Sequence, residues 1–501
     1  MGDIRRQTIL SSIVIYIGFA IGFINTYFYV KNGTFTPEQY GLTRLFNDIG
    51  ITFYSFATLG VLSYVYKFHP FYKQNLSRKE NDQAALSLIV ISLGFLLVVL
   101  GSILFKPLFI QKFSEKSILL ITYYYWILPF TFGILFFTIF EAFAWFAQES
   151  ILTNFLKETG LRLIQSALIA AFVIGWINFD SFIKIFSFSY IIIASILIFY
   201  LIYTNKIAFN FKISRVTKKF RKKIVWLMIL IYGSLVVNTV AMYIDSIIIA
   251  SVSQKGLADV GVYTLATFIA ATIQVPQRSI ISAVIPVLSN SWKTKDYTEI
   301  QRIYSRTSIN LLLLALFIFF LIWLNLNDMF TVLNINSNYE TGKMVILILG
   351  ISKIIDAGTG VNSQIIGTSN CWKFEVFTGI LLLAISIPLN YYLVKRYNIN
   401  GSAWSNLIAY GIYNFVRLFF IWKKFNMQPF SAKTILALTV SFLIYLLCFY
   451  LFRGMNNWGG IILRSAVFST AFVLSIFYLK ITPDAQQLWA LTVGRFKKNE
   501  Q

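Results

Sequence analysis

Two pairs of opposite charges stand inside long apolar stretches of this chain. Lys353 and Asp356 are three residues apart, and Arg44 and Asp48 are four apart with Asn47 beside them. These spacings place each pair on one face of a helix. Charge in apolar surroundings is costly and is seldom kept unless it binds an ion or a substrate, or is neutralised in an internal salt bridge. The chemistry to expect from these residues is reversible binding of charge.

Other polar side chains occupy similar surroundings. Asp245 and Asn25 each lie late in an apolar stretch, and Gln274 shares a third stretch with Arg278. The amides and carboxylate offer hydrogen bonds to a polar ligand or a site for a cation. The alternative is a hydrogen bond between helices that only fixes packing, worth roughly 1 kcal/mol or less. Arg278, and more strongly Arg417, can instead be an anchor whose long side chain reaches an aqueous interface.

Covalent catalysis and metal chemistry find little support in the sequence. The chain has a single histidine, and its two cysteines, Cys371 and Cys448, lack the spacing of a zinc site or of a disulfide framework. The loops expected on the outer side of the membrane are short and carry no paired carboxylates for acid–base chemistry. We therefore expect neither an enzyme nor a metal or cofactor site.

The elements that must position these residues are membrane-spanning helices. Of the residues, 57% are hydrophobic and only 13% are charged, too little polar surface for a soluble chain of this length. Apolar stretches of about 20 residues, the length needed to cross a bilayer as a helix, recur throughout. Strict alternation typical of a β-barrel is missing from them. The sequence predicts an all-α integral membrane protein with about 14 transmembrane helices, near 9–30, 41–66, 85–105, 118–140, 161–178, 182–204, 224–252, 260–285, 307–326, 342–366, 375–394, 402–421, 434–452 and 461–480.

Basic residues alternate from loop to loop and so indicate an orientation. With the N-terminus in the cytoplasm, the loops and tails on that side hold 28 of the 43 lysines and arginines, as the positive-inside rule requires. Both termini are then cytoplasmic, and the net charge of +23 is mostly an orientation signal rather than a sign of nucleic-acid binding. This scheme treats 157–162 and the basic tract 218–223 as inner loops. The tract could attract anionic lipid headgroups, although topology and a linker role explain it adequately.

The chain also repeats itself at a distance of 220 residues. This shift lays the turn 37–42 over 257–262, so that Gly41 falls on Gly261 and Asn25 on Asp245. Six helices precede the basic linker, and an even number per copy keeps both copies in one orientation. The repeat predicts two pseudo-symmetric lobes and two additional helices, with an N-lobe at 1–205, a linker at 206–223, a C-lobe at 224–425, and helices 13 and 14 with a cytoplasmic tail at 426–501.

Three short segments resemble a known family of transporters. They are 243–249 with 260–263, the turn 37–42, and 284–289 around Pro286. In order and spacing they resemble the polysaccharide-transport branch of the multidrug/oligosaccharidyl-lipid/polysaccharide (MOP) exporter superfamily, although Thr43 departs from the tyrosine found in many members. The resemblance implies MATE-like lobes and a flippase for oligosaccharides linked to undecaprenyl diphosphate. It would work by alternating access in the bacterial plasma membrane and serve synthesis of surface polysaccharide or O-antigen.

The resemblance also implies roles for the polar residues, which would face a wet cavity between the lobes. A proton or sodium gradient would drive transport if the acids titrate or bind cations. Expected partners are the lipid-linked oligosaccharide and membrane lipids, with a polysaccharide polymerase as a further candidate. Candidate substrate-binding residues are Asn25, Arg44, Asn47, Gln274, Arg278 and Lys353, and candidate ion-coupling or cavity acids are Asp48, Asp245 and Asp356.

Other functions remain open at this stage. A cation-coupled multidrug antiporter of the same superfamily would have acid-rich cavities, whereas this chain mixes Arg44 and Lys353 with its acids. A membrane oligosaccharide polymerase or ligase acts on the same substrates but would need catalytic residues in a long outer loop. A lipid II flippase is a closer relative that the sequence separates poorly.

Overall fold

A computed structural model describes residues 2–484 of the chain. Within that range the side chains at 2–13, 16, 278, 279, 282, 283 and 372 are left undescribed. The end of the predicted cytoplasmic tail, 485–501, therefore lies outside the described residues. The regular structure of the described part is helical, as the apolar stretches predict. Contacts between Cα atoms divide the chain into two compact units, Met1–Gly261 and Val262–Gln501.

The first unit is built from twelve helices and the start of a thirteenth. A 3₁₀ turn at Tyr124–Trp126 joins α6 to α7, and a π-helical segment at Phe155–Gly160 joins α8 to α9. The helices are α1 Gly2–Val30, α2 Pro37–Ala57, α3 Val61–Asn75, α4 Gln83–Leu104, α5 Lys106–Phe113, α6 Ile118–Thr122, α7 Ile127–Phe146, α8 Ser150–Asn154, α9 Leu161–Val173, α10 Phe179–Ser187, α11 Ser189–Tyr203 and α12 Arg215–Val252.

The second unit begins within α13 and contains the remaining helices. Its long element α18 is kinked at Asn398, whose φ of 51° and ψ of −136° are not helical, and it covers both predicted stretches 375–394 and 402–421. The helices are α13 Leu257–Ala271, α14 Val275–Thr294, α15 Tyr297–Val332, α16 Lys343–Gly358, α17 Asn362–Thr368, α18 Trp372–Phe425, α19 Ala432–Leu451 and α20 Trp458–Tyr478.

The chain is a multi-pass membrane protein, with fewer clear spans than the sequence predicts. Among the described residues, nine helices are long and apolar enough to cross a membrane, or up to eleven if each of two bent pairs counts as one span. One bent pair is α2 with α3, which meet at 54°. The number of fourteen therefore stays a prediction.

Two predicted boundaries are wrong. The segment 157–162 is not a loop, because α8, the π-helical segment and α9 continue one another from Ser150 to Val173. The basic tract 218–223 is not a loop either, because α12 begins at Arg215, where the Ser214 side chain caps the backbone N–H of Thr217 at 3.2 Å. Lysine and arginine are good helix formers, so a charged run can extend a spanning helix beyond the bilayer.

Helix α12 is packed with the first unit in this structure, against α2 and α3. At its C-terminal end, the Lys116 ammonium donates to the carbonyl of Val252 at 2.8 Å, and the Ser117 hydroxyl donates to that of Ala250 at 2.7 Å. These side chains satisfy carbonyls that have no partner within the helix. The predicted lobes place 224–252 in the C-lobe instead, and that division stays a prediction.

Backbones approach closely at the two glycines of the predicted repeat, both of which lie in the first unit. A Cβ added to Gly41 would lie 2.0 Å from the carbonyl oxygen of Leu257, and one added to Gly261 would lie 2.2 Å from that of Pro37. Each glycine thus packs on the first turn of the helix that carries the other. The contact is reciprocal, because 37 and 257 are related by the same shift as 41 and 261.

Substituting Gly41 with alanine should destabilise this conformation of the protein. The new methyl group has no space and must push α2 away from α13, an overpacking that typically costs about 1–3 kcal/mol. Thermal unfolding of the purified protein in detergent measures the loss. The matched control is Gly101→Ala in α4, where an added Cβ meets nothing within 4 Å. Equal unfolding temperatures for the two variants would contradict the interpretation.

Candidate functional site

The structure confirms that Arg44 and Asp48 share one face of α2. The Arg44 Nε donates to Asp48 Oδ2 at 3.0 Å, and the Asn47 amide donates to Asp48 Oδ1 at 3.3 Å. The Asp48 side chain is fully buried, whereas that of Arg44 is 38% exposed. The carboxylate therefore holds the guanidinium in place, while the Arg44 side chain as a whole stays partly exposed.

Helix α12 completes this cluster in the first unit. The Ser246 hydroxyl lies near the Asp48 carboxylate, and Tyr243 lies close enough to interact electrostatically with both Arg44 and Asp48. Asp245 is half-buried on the same helix and has a polar or electrostatic interaction of its own. Residues 243–246, recognised in the sequence as a motif, thus contribute two side chains to the charged pair of α2.

A second polar network lies in the second unit around Asp356. The Gln274 amide donates to one carboxylate oxygen at 2.7 Å, and the Asn414 amide donates to the other at 3.0 Å. The Asn414 amide oxygen accepts from the Thr359 hydroxyl at 3.1 Å and from the Asn362 amide at 3.0 Å. The network therefore links α16, α17, α18 and the turn before α14, and each carboxylate oxygen has a neutral donor.

Lys353 lies one turn before Asp356 on α16 and is half-buried. Its Nζ atom lies 5.6 Å from the centre of the Tyr410 ring on α18, within the range of a cation–π contact. The lysine also has a further interaction in this structure. The Tyr410 ring therefore stabilises the Lys353 ammonium close to the Asp356 network, within the second unit.

Arg417 is not a snorkelling anchor, and that interpretation is wrong. Its side chain is only 2% exposed and forms a salt bridge with Glu375, while its Nε donates to the Thr378 hydroxyl at 3.0 Å. The guanidinium also lies 3.7 Å from the centre of the Tyr413 ring. Glu375 and Thr378 precede the kink of α18 and Arg417 follows it. The ion pair therefore links the two halves of α18.

Asn25 lies buried between helices of the first unit. Its amide nitrogen donates to the backbone carbonyl of Arg162 at 3.0 Å, and its oxygen accepts from the Ser166 hydroxyl at 2.7 Å. These bonds join α1 to α9, which is what a packing role predicts. Arg278 is the one candidate whose side chain lies outside the described residues, so its position relative to the other candidates is not defined.

Sequence reasoning missed several polar residues of these clusters. Arg162 was counted only as an inner-side charge at the start of the predicted helix 161–178, yet it lies within the continuous helix 150–173, pairs with Glu158 at 3.2 Å and lies over the Phe19 ring at 4.9 Å. Treating 150–173 as one helix would have found it. Glu375 follows directly on a short polar segment, and no local signal distinguishes it. Asn414 is an uncharged residue in an apolar stretch, and only its partners reveal it.

Replacing Glu375 with leucine should destabilise the protein, because the buried Arg417 then lacks its counter-ion. Loss of a hydrogen bond to a charged group, leaving that group unsatisfied, costs about 1.5–3 kcal/mol. The double variant Glu375→Leu/Arg417→Met removes both charges and should recover most of the loss. Thermal unfolding in detergent compares the two. A double variant no more stable than the single one would show that the salt bridge is not the relevant interaction.

Comparison with known proteins finds one matching family model and several solved structures of similar fold. Residues 234–392 match the MatE family model, and no curated protein sequence matches the chain. The fold is similar to that of the lipid II flippase MurJ in its inward closed conformation, at a TM-score of 0.73 and 15% identity over 94% of this chain and 99% of that one.

Two further solved structures are similar. An inward-facing multidrug resistance MATE family transporter of the MOP superfamily gives a TM-score of 0.60 at 12% identity over 82% of this chain and 94% of its own. A MATE protein in complex with MaL6 gives 0.52 at 15% identity over 84% and 96%. The chain thus contains a segment that matches the MatE family model, and its fold is similar to the folds of these three proteins.

Proposed function

We propose that this protein is a flippase for lipid-linked oligosaccharides. The substrate is an oligosaccharide on undecaprenyl diphosphate, and the protein moves it across the bacterial plasma membrane by alternating access, for surface polysaccharide or O-antigen synthesis. Its fold, shared with a lipid II flippase, supports transport of an amphiphile whose headgroup is large and polar. No bond is made or broken, so the protein acts as a transporter and not as an enzyme.

The observation that carries the proposal is an apolar groove in the second unit. Its volume is about 610 Å³, and its walls come from α15, α16 and α19, with Thr439, Tyr445 and Trp323 as the only lining residues whose side chains carry a polar group. A groove of this kind suits a long prenyl chain, since burial of apolar surface is favourable and needs no specific polar contacts. The lining residues are Leu316, Phe319, Phe320, Trp323, Leu347, Ile351, Ile354, Ile355, Leu438, Thr439, Phe442 and Tyr445.

The two C-terminal helices are fixed to α15 beside this groove. Near one end of α15, Arg464 of α20 forms a buried salt bridge with Asp328. Farther along α15, the Asn310 amide donates to Asp484 at 2.5 Å and the Asn310 oxygen accepts from the Thr482 hydroxyl at 2.6 Å. These polar contacts fix α20 and the segment after it to α15, which is one wall of the groove, so a bound tail would move with the second unit.

We assign the polar clusters to the headgroup and to the driving ion. The guanidinium of Arg44 and the ammonium of Lys353 suit a diphosphate, because both are cations in apolar surroundings. Amides at Asn47 and Gln274, with Arg278, would hydrogen-bond to sugar or phosphate, and the Asn25 amide would do so after breaking its bonds to α9. Proton or sodium binding at the carboxylates of Asp48, Asp245 and Asp356 would couple a gradient to transport. Both termini would be cytoplasmic, and a polysaccharide polymerase would use the product.

Depletion of the protein in its host tests the function directly. Lipid-linked oligosaccharide should then accumulate on the inner leaflet, and glycan should disappear from the cell surface. Accessibility of the headgroup to an impermeant glycan-modifying reagent, in intact and in opened cells, measures the leaflet. Unpolymerised units reaching the outer leaflet would point to a polymerase or ligase, and unchanged glycan with altered drug sensitivity would point to an antiporter.

Filling the groove should block transport while leaving the protein folded. Thr439→Trp places a large ring among the lining side chains, so the prenyl chain loses its space and flipping in the depletion strain should fall at least about tenfold, the effect of about 1.4 kcal/mol. The matched control is Leu447→Trp on α19, an exposed position about 140° away from the groove. Equal export by the two variants, at equal membrane levels, would remove the groove from the mechanism.

A further inference from the structure

Four lysines form one face at the start of α12. Lys218, Lys219, Lys222 and Lys223 are all exposed, and at 3.6 residues per turn they fall within about 140° of the helix circumference. We name them the lysine stripe. In the part of the chain that the structure describes, none of the four forms a salt bridge.

The opposite face of this turn is anchored and keeps the stripe in place. Val216 and Ile224 are buried, and between them Phe220 packs on the rings of Phe68 and Phe71 at 5.6 and 5.3 Å. At the helix start, the Asp82 carboxylate accepts from the backbone N–H of Ser214 at 2.8 Å. The four lysines therefore lie on an anchored helix end and not in a flexible linker.

Apolar side chains continue the same face immediately beyond the lysines. Trp226, Ile229 and Leu230 fall in the same sector of the helix and are 66%, 60% and 61% exposed. Helix α12 has 38 residues, about 57 Å of helix, far longer than the roughly 30 Å of a bilayer core. Its first turns consequently extend into the headgroup region, with the lysines at headgroup depth and Trp226 just inside the hydrocarbon.

We propose that the lysine stripe and the apolar face beyond it bind anionic phospholipids of the inner leaflet. A row of cations followed by exposed apolar side chains matches a phosphate headgroup followed by acyl chains, and juxtamembrane basic clusters attract such lipids strongly. The stripe is an exposed helix face that carries four positive charges. It therefore suits the small phosphate headgroups that are abundant in the bilayer. This binding is independent of the transported substrate.

Trp226 provides a local measurement, because it lies one turn from Lys222 and Lys223 on the same face. The full-length protein is reconstituted into phosphatidylcholine vesicles with a fixed fraction of phosphatidylglycerol, and bromine quencher is placed on the acyl chains of one lipid or the other. Quenching of Trp226 is the difference between wild type and Trp226→Phe. We expect quenching about threefold stronger with brominated phosphatidylglycerol, at equal mole fraction of quencher, because the lysines enrich the anionic lipid.

Variants separate the stripe from the overall charge of the protein. Changing the four lysines of the stripe to glutamine should bring the quenching ratio to about one. The matched control removes four exposed lysines elsewhere and should keep the threefold ratio: Lys293→Gln, Lys395→Gln, Lys423→Gln and Lys424→Gln. Gel filtration and circular dichroism establish that both variants are folded.

Three results would overturn the proposal. One is equal quenching by the two brominated lipids in the wild-type protein, and another is a ratio that survives loss of the stripe. The third is loss of the phosphatidylglycerol preference when a small fraction of undecaprenyl diphosphate is added, which would assign the stripe to the transported lipid. Because the assay measures no transport, its outcome is separate from that of the flippase proposal.

Discussion

The contact of Gly41 with Gly261 is the constraint on which the arrangement of the first unit depends. Two helix starts can pack backbone on backbone only where neither carries a side chain, and here each glycine lies against the carbonyl of the other's first turn. This approach brings α2 beside the end of α12. The loop between α12 and α13 is held there as well, because Gly256 packs directly on the carbonyl of Lys116.

The charged cluster of the first unit follows from that approach. With α2 against α12, Ser246 lies near the Asp48 carboxylate, and Asp48 holds Arg44. A buried carboxylate is tolerated when donors satisfy its oxygens, and both oxygens of Asp48 have donors from its own helix. Of this pair, Asp48 is fully buried and the Arg44 side chain is partly exposed.

In the second unit, a carboxylate in apolar surroundings is stabilised by neutral hydrogen-bond donors. Asp356 receives one amide on each oxygen, from Gln274 and from Asn414, while Lys353 lies over an aromatic ring. Arg417 instead uses a direct salt bridge with Glu375 across the kink of α18. The charged groups of this unit are thus stabilised in three ways: by neutral amides, by an aromatic ring and by a salt bridge.

The sequence by itself determined the class of the protein and the equivalence of its two motif glycines. Apolar stretches of bilayer length allow only helices, because backbone groups in lipid must find their partners within the segment. The shift that aligns Gly41 with Gly261 also identified the two positions that later proved to touch. Local spacing likewise sufficed for Arg44 with Asp48, since residues four apart on a helix are neighbours.

Only the tertiary structure decided the partners that lie far apart along the chain. No sequence pattern near Arg417 predicts its contact with Glu375, which lies before the kink. Likewise, none near Asp356 predicts its contact with Asn414. Both contacts depend on how α16 and the two halves of α18 pack. Basic residues also led to wrong helix boundaries at 157–162 and 218–223, because the sequence predicts loops there and the structure shows helix. Hydropathy measures the preference of a segment for lipid, whereas burial with a specific partner is a property of the packed helices.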